Sequence, residues 1–294
     1  MAQDSGLVEL LKWYVEAGVD EVLADAPVDR LSAVQEVPPV QETGAKGPPS
    51  SKLQTNELQP DKSTPAFSPT SDTGQRQRRQ SAELISRDET TRTARAAAAA
   101  ATSLEELRAA LEEFEGCPLK QTAKSLVFAD GNPDGPLMFV GEAPGAEEDR
   151  HGLPFVGPAG KLLDRMLAAI NLDRTDAYIT NILPWRPPGN RSPTDAEIAV
   201  CLPFLERHIE LATPKILIMV GGTAAKTLMG TNQGIMRMRG RWYEYATSQM
   251  SAPIPARPLL HPAYLLRQPA QKRETWMDLI EIRKRLAQEV QNET

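Results

Sequence analysis

Four short apolar runs decide what this chain can fold into. They read LMFVGE (137–142), AYITNIL (177–183), KILIMVG (215–221) and RPLLHP (257–262). Runs of this length that are apolar at successive positions suit strands covered on both faces. Stretches of helical character separate them, at 158–170, 194–211 and 222–229. Strands alternating with helices make a parallel sheet with helices on each side. The expected fold is α/β: three layers, α/β/α, around a central four-stranded parallel sheet.

The remaining chain is of a different kind. Residues 1–25 carry Leu7, Leu10, Leu11, Tyr14 and Val15 at helical spacing. They read as a short helix that either docks on the protein or binds a partner. Residues 26–87 are rich in Pro, Ser, Thr and Gln, with few large apolar side chains. Such a stretch cannot bury enough surface to offset its ordering entropy, so a disordered linker is expected. An alanine run (96–101) and the start signal Ser103-Leu-Glu-Glu106 then open the folded part, 88–294, with its core at about 103–287.

Charge and cysteine count narrow the class. Net charge is −6 with pI near 5.3, which disfavours a bulk basic coat but leaves room for a local basic patch. Two cysteines make no disulfide framework and suit a reducing compartment. No apolar run reaches the roughly 18 residues of a membrane span. The expectation is a soluble, cytoplasmic monomer.

Ligands of open parallel sheets bind beyond the carboxyl ends of the strands. There the sequence puts Glu142, Asn181, the pair Gly221-Gly222 and His261. The first strand runs into GEAPGAEED, a glycine loop followed by Glu147, Glu148 and Asp149. It lacks the G-K-[ST] of a phosphate loop and the G-x-G turn of a dinucleotide site. Acids here suit a neutral, flat ligand or a reaction that develops positive charge. Phe155 lies in a Gly/Pro-rich loop, as a core plug or a ligand platform. Asn181, at the end of a buried strand, needs partners for both ends of its amide, whether it pins a loop or reads a ligand. Arg186 and Arg191 flank a rigid Pro-rich loop, as phosphate contacts or loop caps. His261 is structural or functional.

GEAPG (141–145), GLPFVGPAGKLLD (152–164), YITNILPWRPPGNRSPT (178–194) and HPAYLLR (261–267) occur in that order. Together they resemble the motifs of the family 4 uracil-DNA glycosylases, over about residues 116–286. The resemblance implies monofunctional hydrolysis of the N-glycosidic bond of deoxyuridine in DNA, on a base flipped out of the stack. It implies that Phe155 stacks on the uracil, that Asn181 reads its Watson–Crick edge, and that backbone from Gly141 to Ala143 lines the pocket. Glu148 would be a wall that excludes the thymine methyl. Glu142 would face the positive sugar, and His261 would donate to O2 of the departing base. Leu265, Leu266 and Arg267, in the loop after His261, would wedge into the duplex. The likeness begins near Gly116, so residues 1–100 fall outside it; they are candidates to tether a repair or replication partner.

The chain departs from that family at its metal site. Many members hold a [4Fe-4S] cluster on four cysteines, and the matching positions here are Phe114, Cys117, Trp185 and Cys201. Two thiols and two aromatic rings argue for no cluster and no cofactor, with Cys117 and Cys201 as buried apolar residues or, alternatively, as a disulfide or a vestigial metal site. Some relatives trap DNA through a histidine-bearing loop. The segment 230–242 has Arg237, Arg239 and Arg241 instead, read as an extended segment with like charges on one face. With Arg186, Arg191, Arg267, Lys272 and Arg273 they would supply a local basic face for DNA; RQRRQ (76–80) is a solvated run or a further backbone contact. Two rival readings are a glycosylase-like DNA-binding module without turnover and a small-molecule nucleoside hydrolase.

Overall fold

The structure is a computed structural model that describes residues 88–291. The helix expected in 1–25, the linker 26–87 and RQRRQ lie outside the described residues.

Six strands form one sheet: β1 (Asp130–Gly131), β2 (Leu137–Gly141), β3 (Ala177–Asn181), β4 (Ile216–Val220), β5 (Tyr243–Tyr245) and β6 (Ile254–Leu259). Their order is β1-β3-β2-β4-β6-β5. The central four, β3-β2-β4-β6, are parallel and are the four strands expected from sequence. The two short edge strands pair antiparallel and were not foreseen. The last parallel strand begins at Ile254, before the RPLLHP run, and ends at Leu259, so His261 stands two residues beyond it.

The pleat sends alternate residues to opposite faces. Met138, Val140, Leu217 and Met219 meet one helical layer, while Leu137, Phe139, Ile216, Ile218 and Val220 meet the other. The first layer comprises α1 (88–100), α2 (Leu104–Glu113), α5 (Asp195–Ala212) and α6 (Gly222–Met229). The second comprises α4 (Pro158–Ala168), α8 (Pro262–Arg267) and α9 (Lys272–Gln291). Two short helices, α3 (Ala146–His151) and α7 (Ile235–Met238), lie in the connections.

Local chemistry sets the helix starts. Ser103 caps α2 by accepting from the Glu106 N–H. Thr194 and Glu197 make a capping box on α5. Pro158 opens α4, where its missing N–H costs no helical bond. Two expectations are corrected. The segment 261–267 is a helix capped by His261 rather than a loop. The segment 230–242 is not extended throughout, because it contains α7.

Candidate active site

A crevice of about 480 Å³ opens beyond the carboxyl ends of β2, β3 and β4 and below His261. That volume suits a small-molecule ligand. From β2 the chain crosses to β3 on one side, while β4 and β6 lie on the other. The crevice thus sits where the strand order reverses.

Its floor is where β2 and β3 pair. Gly141 and Asn181 are register partners. A Cβ on Gly141 would lie 2.3 Å from Asn181 Oδ1 and 2.7 Å from the Phe155 ring, so no larger residue fits. Asn181 is 6% exposed and lines the crevice. Among the described residues no hydrogen bond satisfies its side-chain amide. Its amide atoms are not among the fully buried unpaired ones, so they keep solvent access at the crevice, where a ligand can reach both the donor and the acceptor.

One wall is Phe155, buried and in the left-handed region at φ 53°. That conformation costs a non-glycine residue roughly 1–2 kcal/mol. The loop is fastened from inside. The Glu148 carboxylate accepts from the N–H groups of Gly145 (3.1 Å), Val156 (3.0 Å) and Gly157 (2.8 Å). Arg174 donates to the carbonyls of Pro154 and Phe155. Gly160 leaves room for the Phe155 carbonyl, which would lie 1.6 Å from a Cβ there. The Phe155 ring faces His261, centroids 5.6 Å apart and 27° from parallel.

The Nδ1 atom of His261 accepts from the Ala263 N–H at 3.1 Å. Burial above all, with the Arg267 cation, pulls its pKa down to about 4 against the opposing Glu148 carboxylate. The ring is therefore neutral at pH 7, and with Nδ1 accepting, its proton sits on Nε2.

The run of acids divides by role. Glu142 lines the crevice and accepts from Thr223 Oγ1 at 2.5 Å. Glu148 lines it as well. Glu147 pairs with Arg150 on the surface, and buried Asp149 accepts from the Lys124 and Ser125 N–H groups. Only two of the four acids reach the crevice, and Glu148 is chiefly a fastener of the loop.

The expected DNA-facing side chains also divide. Arg267 is exposed at the crevice, without an ion pair among the described residues. Arg191 lines the crevice but is bonded bidentately to Glu197 (2.6 and 2.9 Å), which lowers that carboxyl to about 2. Arg186 donates to Asn190. Arg239 does not face outward: Glu274 and buried Asp278 hold it, each at 2.9 Å, and Asp278 also binds Arg257. Arg237 and Arg241 are the exposed members of that run. Leu265 is 1% exposed and belongs to the core, whereas Leu266 is 42% exposed. Adjacent residues on a helix point about 100° apart, which an extended loop reading does not separate. Arg174 was missed, and no local pattern in NLDRTD marks it.

Away from the crevice, Cys117 and Cys201 are free, buried thiols with sulfurs 3.8 Å apart. Phe114 and Trp185 are buried with them, and Phe114 packs on Phe204 at 5.1 Å. The void beside Cys201 is about 10 Å³, no more than one water occupies. The bond between the thiols, with burial, pushes Cys201 up, and the same bond holds Cys117 below the ordinary thiol value, so the pair shares one proton unevenly. These residues do not fit a four-thiolate cluster. Among the described residues no three His, Cys, Asp or Glu side chains converge to hold a metal.

Residues 128–280 match the model of the uracil DNA glycosylase superfamily. The chain is 40% identical over 172 residues to a type-4 uracil-DNA glycosylase of Sulfurisphaera tokodaii, covering 57% of this chain and 77% of that one. It is 38% identical over 184 residues to a type-4 uracil-DNA glycosylase of Archaeoglobus fulgidus, covering 61% of this chain and 92% of the relative. A third, from Thermotoga maritima, is 38% identical over 158 residues, 53% of this chain and 80% of its own.

Proposed function

The chain belongs to the uracil-DNA glycosylase superfamily, in its type-4 branch, and we propose that it releases uracil from DNA by hydrolysing the N-glycosidic bond of deoxyuridine. It is a monofunctional hydrolase of DNA repair, and it leaves an abasic site for base excision. The carrying observation is the side-chain amide of Asn181, without a hydrogen-bond partner among the described residues, lining the crevice beside the stacked Phe155–His261 pair.

A uracil flipped into the crevice stacks on Phe155. Asn181 Oδ1 accepts from its N3–H, and Nδ2 donates to O4. Gly141 lets the base lie against the backbone of 141–143, and Glu148, held in the crevice lining by its three backbone bonds, is the wall against a 5-methyl group in this reading. As the C1′–N1 bond breaks, its electron pair passes to the uracil ring, where Nε2–H of neutral His261 stabilises the charge on O2. The sugar becomes oxocarbenium-like. The Glu142 carboxylate, oriented by Thr223, favours that cation and accepts a proton from the water that adds to C1′. Leu266 and Arg267 fill the gap the base leaves. Arg186, Arg191, Arg237 and Arg241 meet phosphates. The chemistry runs without a cluster, in a cytoplasmic monomer whose residues 1–25 engage a repair or replication partner. Among the described residues no helix is long and apolar enough to cross a membrane.

The test is a labelled oligonucleotide bearing one uracil, treated with protein and then with alkali. Cleavage by the wild type, falling about 10²–10³-fold in His261→Ala, is the expected result. DNA retained without cleavage would replace turnover with binding alone.

A further inference from the structure

We propose that Arg174 is a positioning residue for the reaction: its guanidinium fixes the Pro154–Phe155 backbone and so sets the plane of the ring on which uracil stacks. The proposal rests on Phe155 being that stacking face. Arg174 lines no part of the crevice. It leaves the turn before β3 and reaches four acceptors. Nη2 donates to the Phe155 carbonyl, and Nη1 to the Pro154 carbonyl at 3.3 Å. Nη1 also pairs with Asp130 of β1, and Nε with Asp164 of α4 at 2.8 Å.

This geometry answers a specific problem. Phe155 holds an unfavourable φ, and its backbone is gripped on both sides. On the amide side the Glu148 carboxylate takes the Val156 and Gly157 N–H groups. On the carbonyl side Arg174 takes Pro154 and Phe155. The strained residue thus sits between an anionic and a cationic clamp. Asp130 and Asp164 anchor the cation to the sheet edge and to α4, the helix whose Gly160 backs the Phe155 carbonyl. A planar fork with five donors spans this set, whereas a lysine ammonium has three donors at one point.

The rival is a plain staple, in which Arg174 only ties β1 to α4. Asp164→Asn weakens the staple and leaves both carbonyl contacts. Because Asp130 and both carbonyl contacts remain, we expect Asp164→Asn to lower the thermal midpoint while losing several-fold less in kcat/KM and in inhibition by free uracil than the Arg174 variants. Arg174→Lys and Arg174→Gly should each lose roughly tenfold or more in kcat/KM and weaken inhibition by free uracil similarly. Millimolar guanidinium should restore much of the Arg174→Gly loss. Amide exchange at 155–157 should accelerate in Arg174→Gly. Arg174 variants that match Asp164→Asn in all readouts, or that guanidinium does not rescue, overturn the proposal. Should the wild type release no uracil, the glycosylase reading falls by itself. Exchange at 155–157 then decides: acceleration supports the grip on Phe155, and an unchanged rate overturns it.

Discussion

The crevice and the corner around Cys117 and Cys201 follow opposite rules. The corner is closed: two thiols face each other, and Phe114, Trp185 and Phe204 are buried around them, leaving a void of only about 10 Å³. The crevice leaves an amide unpaired, a phenylalanine in a strained backbone and a histidine neutral. Packing rules are obeyed where only stability is at stake and broken where a ligand is to complete the arrangement. In the corner, Phe114 and Trp185 occupy the volume beside the two thiols, so little space is left there for anything else.

This contrast breaks if the corner proves catalytic. Trp185→Ala should cost about 3–5 kcal/mol of stability by urea unfolding, with kcat/KM retained at temperatures where the variant is folded. His261→Ala should do the reverse, losing rate with little stability. A large rate loss in folded Trp185→Ala would remove the distinction.

Acid sharpens it. Burial holds His208 at about 3 and His261 at about 4, both below the ordinary 6.5. The unfolded chain then takes up protons first. The stability these groups carry is complete above 6.5 and declines as pH falls toward 4. Each group contributes at most about 1.4 kcal/mol per pH unit in that window. Urea midpoints from pH 7.5 to 4.5 should show the slope, and His261→Ala should flatten part of it. The activity limb belonging to His261 should lie near 4, with none near 6.5.

The smallest effect comes from Cys201→Ala. A methyl-sized void there should cost about 1 kcal/mol, with activity unchanged. Loss of a visible absorption band or of turnover in that variant would show that the thiols do more than fill space.

Much of this was legible in the chain. The parallel strands are apolar runs in the sequence, and the rule about their carboxyl ends points to Glu142, Asn181 and His261, all of which line the crevice. The edge strands, of two and three residues, are too short to carry a pattern. Arg239 looked like a DNA contact because its partners, Glu274 and Asp278, lie 35 and 39 residues away. Arg174 was invisible for the same reason: its acceptors are scattered from Asp130 to Asp164. Leu265 and Leu266 could not be told apart until Pro262 proved to start a helix.

The pairing of Gly141 with Asn181 has one more consequence. In the proposed site, the backbone under the base and the backbone that carries the reading amide belong to neighbouring strands, held about 4.8 Å apart by the ladder. Backbone hydrogen bonds, rather than side-chain packing, set that gauge. Repacking the helical layers for heat resistance should move both residues together, so a thermally hardened descendant would keep its choice of base.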